Sequence, residues 1–287
     1  MALFSGMAFR DMRGMTKLAK MFDTATKITS AATAKKFVES GYTAIGRYAV
    51  PNSWKSLTLS EANILKSAGL KIISIWQIDG KNSVLQGYAK GKSDGERAVA
   101  YAKELQQPKG SAIYTAVDFD AQASQMETVK AYVRGFREAV NAAGYLGGVY
   151  GSAAVMKTCM AAKVADRYWQ TYAWSKGEVV KGINLYQRKN DFSMHGVNID
   201  DNDTFGDEGW WPLDVKEEKP FVKGNTKFSD VPAGHWAESS IKQVSEAGLM
   251  NGLPDGSFGL GKPVSREELA AVVANLLNKT NLSKKED

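Results

Sequence analysis

The stretch AIYTAVDFD ends in two aspartates, Asp118 and Asp120, separated only by Phe119. Along an extended strand side chains alternate, so the two carboxylates share one face and Phe119 takes the other. Carboxylates held that close push their ionisation apart, leaving one protonated to act as an acid while its neighbour stays charged. That is the chemistry of glycosidic bond cleavage. Asp23 ends the run MFD, and Asp200 ends GVNID with Asn202 on the same strand face. If the first and last strands are neighbours, as in a closed barrel, all of these carboxylates converge. The catalytic candidates are therefore Asp120, Asp118, Asp23 and Asp200. Asp120 is the expected general acid, and Asp118 the group that stabilises a developing positive charge or orients an N-acetyl nucleophile. The competing reading is structural: one aspartate caps the next helix while the other pairs with Arg47. Arg47, Gln77, Tyr150, Trp174 and Gln187 lie at or near other strand ends, where they could hold a sugar chain by hydrogen bonds and stacking. The aromatic members would serve equally well as barrel filling.

Other chemistries lack their residues. The 287-residue chain has two histidines, His195 and His235, and one cysteine, Cys159. A multi-histidine zinc centre cannot be assembled from these, which argues against a zinc amidase or peptidase. Neither histidine lies beside a recognisable nucleophile motif. No metal or cofactor is expected. A lone cysteine excludes an internal disulfide and suits a buried helix position better than a nucleophile. The net charge is +6; residues 214–287 hold ten Lys and Arg against eleven Asp and Glu, so the rest of the chain carries +7. Such a basic surface would favour anionic wall polymers over long range and would equally suit nucleic acid, so it specifies neither, and no nucleic-acid partner is expected. No apolar run reaches the roughly 18 to 20 residues of a membrane span. The opening MALFSGMAF is short and interrupted, with its charges after it and no clear cleavage site, so synthesis in the cytoplasm without a signal peptide is expected.

Two kinds of element must position the acids. From Met21 to about Trp211, β-rich apolar runs alternate with amphipathic stretches, the pattern of parallel strands joined by helices. MFD, YTAIGRYAV, KIISIWQI, AIYTAVDF, LGGVYG, YWQTYAW, INLYQ and GVNID read as strands. Helices are expected over 31–40, 60–68, 94–106 and 125–143, several stopped by Gly41, Gly69 or Gly144. The α/β pattern predicts an irregular, TIM-like (β/α)8 barrel. It is shorter than the usual roughly 250 residues, because there is no room for a helix between YWQTYAW and INLYQ or before GVNID. The outer helix ring is thus expected to be incomplete. A doubly wound open sheet is disfavoured, since no glycine-rich phosphate loop follows any strand.

The expected organisation is an N-terminal extension over 1–20, a barrel over 21–212, a polar linker over 213–226, a small all-α module over 227–280 and a tail over 281–287. In the module, Trp236, Ala237, Ile241 and Val244 supply one apolar face, and Gly248 ends that helix. Pro254-Asp255-Gly256 is a turn. Ser265 with Glu268 forms a capping box that opens a second helix, whose Leu269, Val272, Val273, Leu276 and Leu277 recur at helical spacing. The pieces FSDV, HWA, NGLPDGSF and SREELA, in that order, closely resemble the S-layer-homology (SLH) family. The resemblance implies binding of secondary cell-wall polysaccharide, often through a pyruvylated sugar, with Arg266 as the key contact and Asp230 and Trp236 as weaker ones. A guanidinium at a helix N-terminus suits a ketal carboxylate. Family members commonly carry three copies packed as one unit, whereas this chain has one. Two helices alone leave apolar surface uncovered, so the module is expected to associate as a homotrimer or to dock on its own barrel.

FDTAT, IGRYAV, IWQ, IYTAVDFD, GVYG, YWQTYAW, LYQ and VNIDDN together resemble the glycoside-hydrolase-like domain related to Chalaropsis-type lysozymes, over nearly all of 21–206. By that resemblance Asp23, the Asp118 and Asp120 pair, and Asp200 fall where the lysozymes keep acidic residues. The lysozymes carry Asp-x-Glu on the fourth strand, while this chain has Asp-x-Asp, which withdraws the acid by one methylene. A displacement of about 1 Å can cost about a hundredfold in rate. The leading expectation is a muramidase-type peptidoglycan hydrolase resembling a phage or prophage endolysin, released to the wall through a holin. The alternative is a non-catalytic envelope protein that binds glycan or belongs to the S-layer.

Overall fold

A computed structural model describes residues 18–212 and 228–280, apart from 251 and 254. The expected linker and tail lie outside the described residues, as does the N-terminal extension up to residue 17. The chain divides into two compact units, 1–213 and 214–287.

In the first unit, strands β1 (Ala19–Asp23), β2 (Tyr42–Tyr48), β3 (Lys71–Trp76), β4 (Ala112–Ala116), β5 (Leu146–Gly151), β6 (Arg167–Thr171), β7 (Leu185–Met194) and β8 (Val197–Thr204) close a barrel in chain order. Helices α1 (Ala31–Glu39), α2 (Leu59–Ala68), α3 (Gly80–Val84), α4 (Gly87–Glu104), α5 (Met126–Ala142) and α6 (Ala153–Ala162) cover it from outside. Local signals set their ends. Ser30 and Thr58 cap α1 and α2 through their hydroxyls, and α2 stops at Gly69 in the left-handed region. In α5, Val129, Tyr132, Val133, Phe136 and Val140 recur at helical spacing and are buried.

The outer ring is incomplete where expected, with no helix between β6 and β7 or between β7 and β8. Strands β1 to β7 run parallel, whereas β8 pairs antiparallel with both β7 and β1. The sequence pattern of parallel strands thus needs one correction. His195 and Gly196 join β7 to β8 with φ of 53° and 78°, the positive pair of a two-residue hairpin turn. A turn that tight reverses the chain, so the last strand cannot be parallel. Asp200 consequently lies inside β8 rather than at its end, in register with Asp23.

Met21, Ile73, Ile75, Tyr114, Trp169 and Leu185 help fill the barrel interior. A Cβ on Gly46 would stand 2.7 Å from the Asp23 Cβ and 2.9 Å from the Trp169 ring, so only glycine lets β2 close against them. Tyr48 has the same strand phase as Gly46 and faces inward, which turns Arg47 outward. Arg47 is a correction to the sequence expectation of a sugar contact. It is fully buried, and its Nε and Nη2 donate to the Glu61 carboxylate at 2.8 and 3.1 Å while Nη1 donates to the Thr24 carbonyl at 2.6 Å. Glu61 Oε1 also accepts the Ile28 N–H at 2.9 Å, so one ion pair ties β2 and α2 to the β1–α1 loop. Among the described residues no helix is long and apolar enough to cross a membrane.

The second unit has two helices, α7 (Glu238–Glu246) and α8 (Arg266–Thr280), and a small core of Phe228, Ala237 and Ile241 with Val231, Phe258 and Leu260 packed against it. The predicted capping box is present: Glu268 N–H donates to Ser265 Oγ at 3.1 Å and Ser265 N–H to Glu268 Oε2 at 2.7 Å. Trp236 departs from expectation, because it precedes the helix and is 88% exposed instead of joining the apolar face.

Removing one partner of the buried Arg47–Glu61 pair strands a charge away from water. Glu61→Gln is expected to lower stability by about 3–5 kcal/mol in denaturant unfolding. A variant as stable as wild type would show that this pair does not tie the wall together.

Candidate active site

A cleft of about 230 Å³ opens at the barrel mouth. Its lining includes Asp23 at the end of β1, Tyr48 at the end of β2, Gln77 after β3, Asp118 after β4, Tyr150 in β5, Thr171 at the end of β6 and Gln187 in β7. Most stand at strand C-termini or in the loops just beyond, where parallel barrels gather their chemistry. Asp200 reaches the same mouth from the first half of β8, because that strand runs the other way.

Asp23 is the floor of the cleft. Its Oδ2 accepts from Asn202 Nδ2 at 2.8 Å and from Gln187 Nε2 at 3.1 Å. Gln187 Nε2 also donates to Asp200 Oδ2 at 3.0 Å, so one amide nitrogen bridges two carboxylates. The amide cannot turn over, since its Oε1 accepts from Tyr150 Oη at 2.8 Å and from Thr171 Oγ1 at 2.9 Å. Asn202 is fixed likewise, its Oδ1 accepting from Trp169 Nε1 at 2.8 Å. Asp200 Oδ1 accepts the Asp191 N–H at 2.8 Å. Across the cleft Asp118 is exposed to solvent and accepts from Gln77 Nε2 at 2.7 Å, and Gln77 Oε1 accepts from Lys55 Nζ at 3.1 Å.

Burial and the nearby Asp200 charge raise the Asp23 carboxyl to about 8, against the two amide donors that pull it down. Asp200 is raised as well, chiefly by its own burial. Tyr48 and Tyr150 are raised by burial and by the surrounding carboxylates, so both remain phenols. Burial thus favours the protonated form of Asp23 at neutral pH, while Asp118 stands exposed in the same cleft.

Of the residues predicted from sequence, the structure brings Asp23, Asp118, Asp200, Gln77, Tyr150, Trp174 and Gln187 to one cleft. Asp120 is exposed and is not among the lining residues; its backbone carbonyl accepts from Gln122 Nε2 at 2.9 Å. Sequence reasoning missed Tyr48, Thr171, Trp169 and Lys55. The first three were open to it, because Tyr48 shares the phase of Gly46, and Trp169 and Thr171 alternate in YWQTYAW. Lys55 sits in a loop with no period to betray it.

In the module, the Asp230 carboxylate accepts three backbone N–H groups, from Phe258 at 2.6 Å and from Gly259 and Leu260 at 2.8 Å each, and these bonds hold it below its ordinary range. Asp230 therefore pins the chain at Phe258, Gly259 and Leu260. Arg266, the first residue of α8, is exposed beside an apolar strip of Leu269, Val273 and Leu277.

A closed eight-strand barrel with acids at its mouth, followed by a two-helix module, defines a glycoside-hydrolase-like domain with a wall anchor. Residues 35–214 match the Rv2525c-like, glycoside hydrolase-like domain, and the chain belongs to that family. Residues 227–270 match the S-layer homology domain, which associates the chain with the cell wall. The S-layer protein EA1 of Bacillus anthracis is 39% identical over 59 residues, which are 21% of this chain and 7% of that protein. The chain thus spans a small part of the S-layer protein it matches. The structure of the Mycobacterium tuberculosis Tat-secreted protein Rv2525c in complex with L-tartrate is similar with a TM-score of 0.61 and 24% identity, covering 68% of this chain and 99% of that one. The modular autolysin LytC of Streptococcus pneumoniae, in complex with a synthetic peptidoglycan ligand, is similar at 0.50 and 12%, covering 68% and 49%. Both are likenesses of fold.

The unfolded-state reference for Asp23 is 3.8, against about 8 when folded. Between those values the folded protein holds the extra proton, so the stability this group confers, complete at low pH, is lost as pH rises through the window. Asp23→Asn should flatten the fall of Tm across that range and leave the variant more stable than wild type at pH 8. An unchanged slope would show that Asp23 is not the buried acid.

Proposed function

We propose that this chain is a muramidase-type glycosidase that cuts the glycan of peptidoglycan and is held at the wall by its S-layer homology module. The observation that carries this reading is that the buried Asp23, bridged to Asp200 by the Gln187 amide, and the exposed Asp118 line one cleft. Asp23 has the proton that a leaving glycosidic oxygen requires. Asp118, oriented by Gln77, supplies negative charge to an oxocarbenium-like centre or orients the substrate's N-acetyl group. Asp200 raises the proton affinity of Asp23 and, through Gln187, fixes its position. The role of acid expected of Asp120 passes to Asp23, because Asp120 lies outside the lining.

That same displacement supports a second reading, in which the cleft holds glycan without cutting it. Release of reducing ends from purified cell walls separates the two. Asp118→Asn is expected to reduce release by at least about a thousandfold while wall binding is retained, and Asp120→Asn to change it little. Because Asp23 must keep its proton, activity should fall as pH rises through about 8. Wild-type protein that releases nothing from any wall leaves only the binding reading, and full activity in Asp118→Asn removes that residue from the mechanism.

At the anchor, Arg266 is the proposed contact for an acidic wall sugar, with exposed Trp236 beside α7 as a stacking surface. The uncovered Leu269, Val273 and Leu277 are the proposed face for assembly into a trimer. Arg266→Ala should weaken wall-polysaccharide binding by about tenfold or more, an ordinary loss for a charged hydrogen-bonding partner. Sedimentation should show a trimer that Val273→Lys dissociates. A wild-type monomer with full wall affinity would contradict the assembly.

A further inference from the structure

Two tryptophans stand exposed at the barrel mouth. Trp54 lies between β2 and α2 and is 73% exposed; Trp174 lies between β6 and β7 and is 42% exposed. Both loops follow the C-terminal ends of parallel strands, so both rim the end that holds the acids. In a barrel closed in chain order, β2 and β6 are four strands apart and stand on opposite sides. Strands about 4.8 Å apart and tilted about 36° make such a barrel about 15 Å across, wider than a disaccharide is long.

Each loop is fastened to the cleft. Lys55, next to Trp54, places its Nζ 3.9 Å from the centroid of the Tyr48 ring and 3.1 Å from Gln77 Oε1, and both partners line the cleft. Leu57 N–H donates to the Tyr48 carbonyl at 2.8 Å. On the other side Ser175 Oγ donates to the Thr171 carbonyl at 2.6 Å and accepts the Ala153 N–H at 2.9 Å. Trp174 itself has φ of 55°, a conformation unfavourable for a bulky side chain and found where the surrounding structure demands it. Large apolar rings kept in water on fastened loops are costly unless something covers them. Between them lie carboxylates and amides that match sugar hydroxyls, and the C–H face of a pyranose fits a flat indole.

We infer that Trp54 and Trp174 are two stacking subsites flanking the acid cluster, so that the cleft takes a glycan longer than a disaccharide, laid along the β2–β6 diameter over Asp23 and Asp118. This rests on the reading that the cleft holds glycan, with or without cleavage.

The test is calorimetric binding of N-acetylglucosamine oligomers, from disaccharide to hexasaccharide, to the full chain carrying Asp118→Asn to prevent turnover. Affinity should rise about tenfold or more from disaccharide to tetrasaccharide, and either Trp54→Ala or Trp174→Ala should remove most of that rise. Tyr88→Ala, an exposed ring on α4, should leave it unchanged. Circular dichroism and Tm verify that the variants fold. A length-dependent affinity that neither tryptophan variant alters overturns the subsites and spares the glycan reading. No binding of any oligomer overturns both.

Discussion

The candidate site depends on one contact, the antiparallel insertion of β8 between β7 and β1. That pairing sets Asp200 opposite Asp23 and gives both carboxylates to a single Gln187 amide. Two carboxylates so placed, one of them at the barrel floor, cannot both shed their protons without the water that the strands exclude. Burial and the neighbouring Asp200 charge therefore favour the protonated form of Asp23 where the barrel closes. Tyr150, Thr171 and Trp169 contribute by fixing which end of each amide faces the acids. Gly46 contributes by having no side chain to force β2 away. A parallel eighth strand would bring different residues into register with Asp23, and the charge pattern of the cleft would be lost.

Much of this is legible in the sequence where the signal is local or periodic. The helix stop at Gly69, the capping box at Ser265 and the gaps in the helix ring follow from residue type and chain length, and each is present. The convergence of Asp23 and Asp200 follows from barrel closure. Elsewhere sequence and structure part, each time for a physical reason. Strand alternation extended through Asp118 to Asp120 fails because β4 ends at Ala116 and a loop need not keep that period. Arg47 is near a strand end, but its phase turns it toward Glu61. The direction of β8 is set by the His195-Gly196 turn, where histidine takes the conformation usually left to Asn or Gly. Trp236 misses the helix face because α7 begins only two residues later.

The two units differ in what their surfaces offer. The module contributes a charged helix start, a loop segment pinned by Asp230 and an apolar strip on α8. The barrel contributes a small polar cleft lined by Asp23, Asp118 and Asp200.

Whether Asp23 keeps its proton at neutral pH is measured by titrating the 13C-labelled aspartate carboxyls of the intact protein by NMR, with Asp23→Asn to assign the resonance. A midpoint near 8 is expected for Asp23. A midpoint near the ordinary 3.8 would contradict it, because the cleft would then hold no acid able to protonate a leaving group.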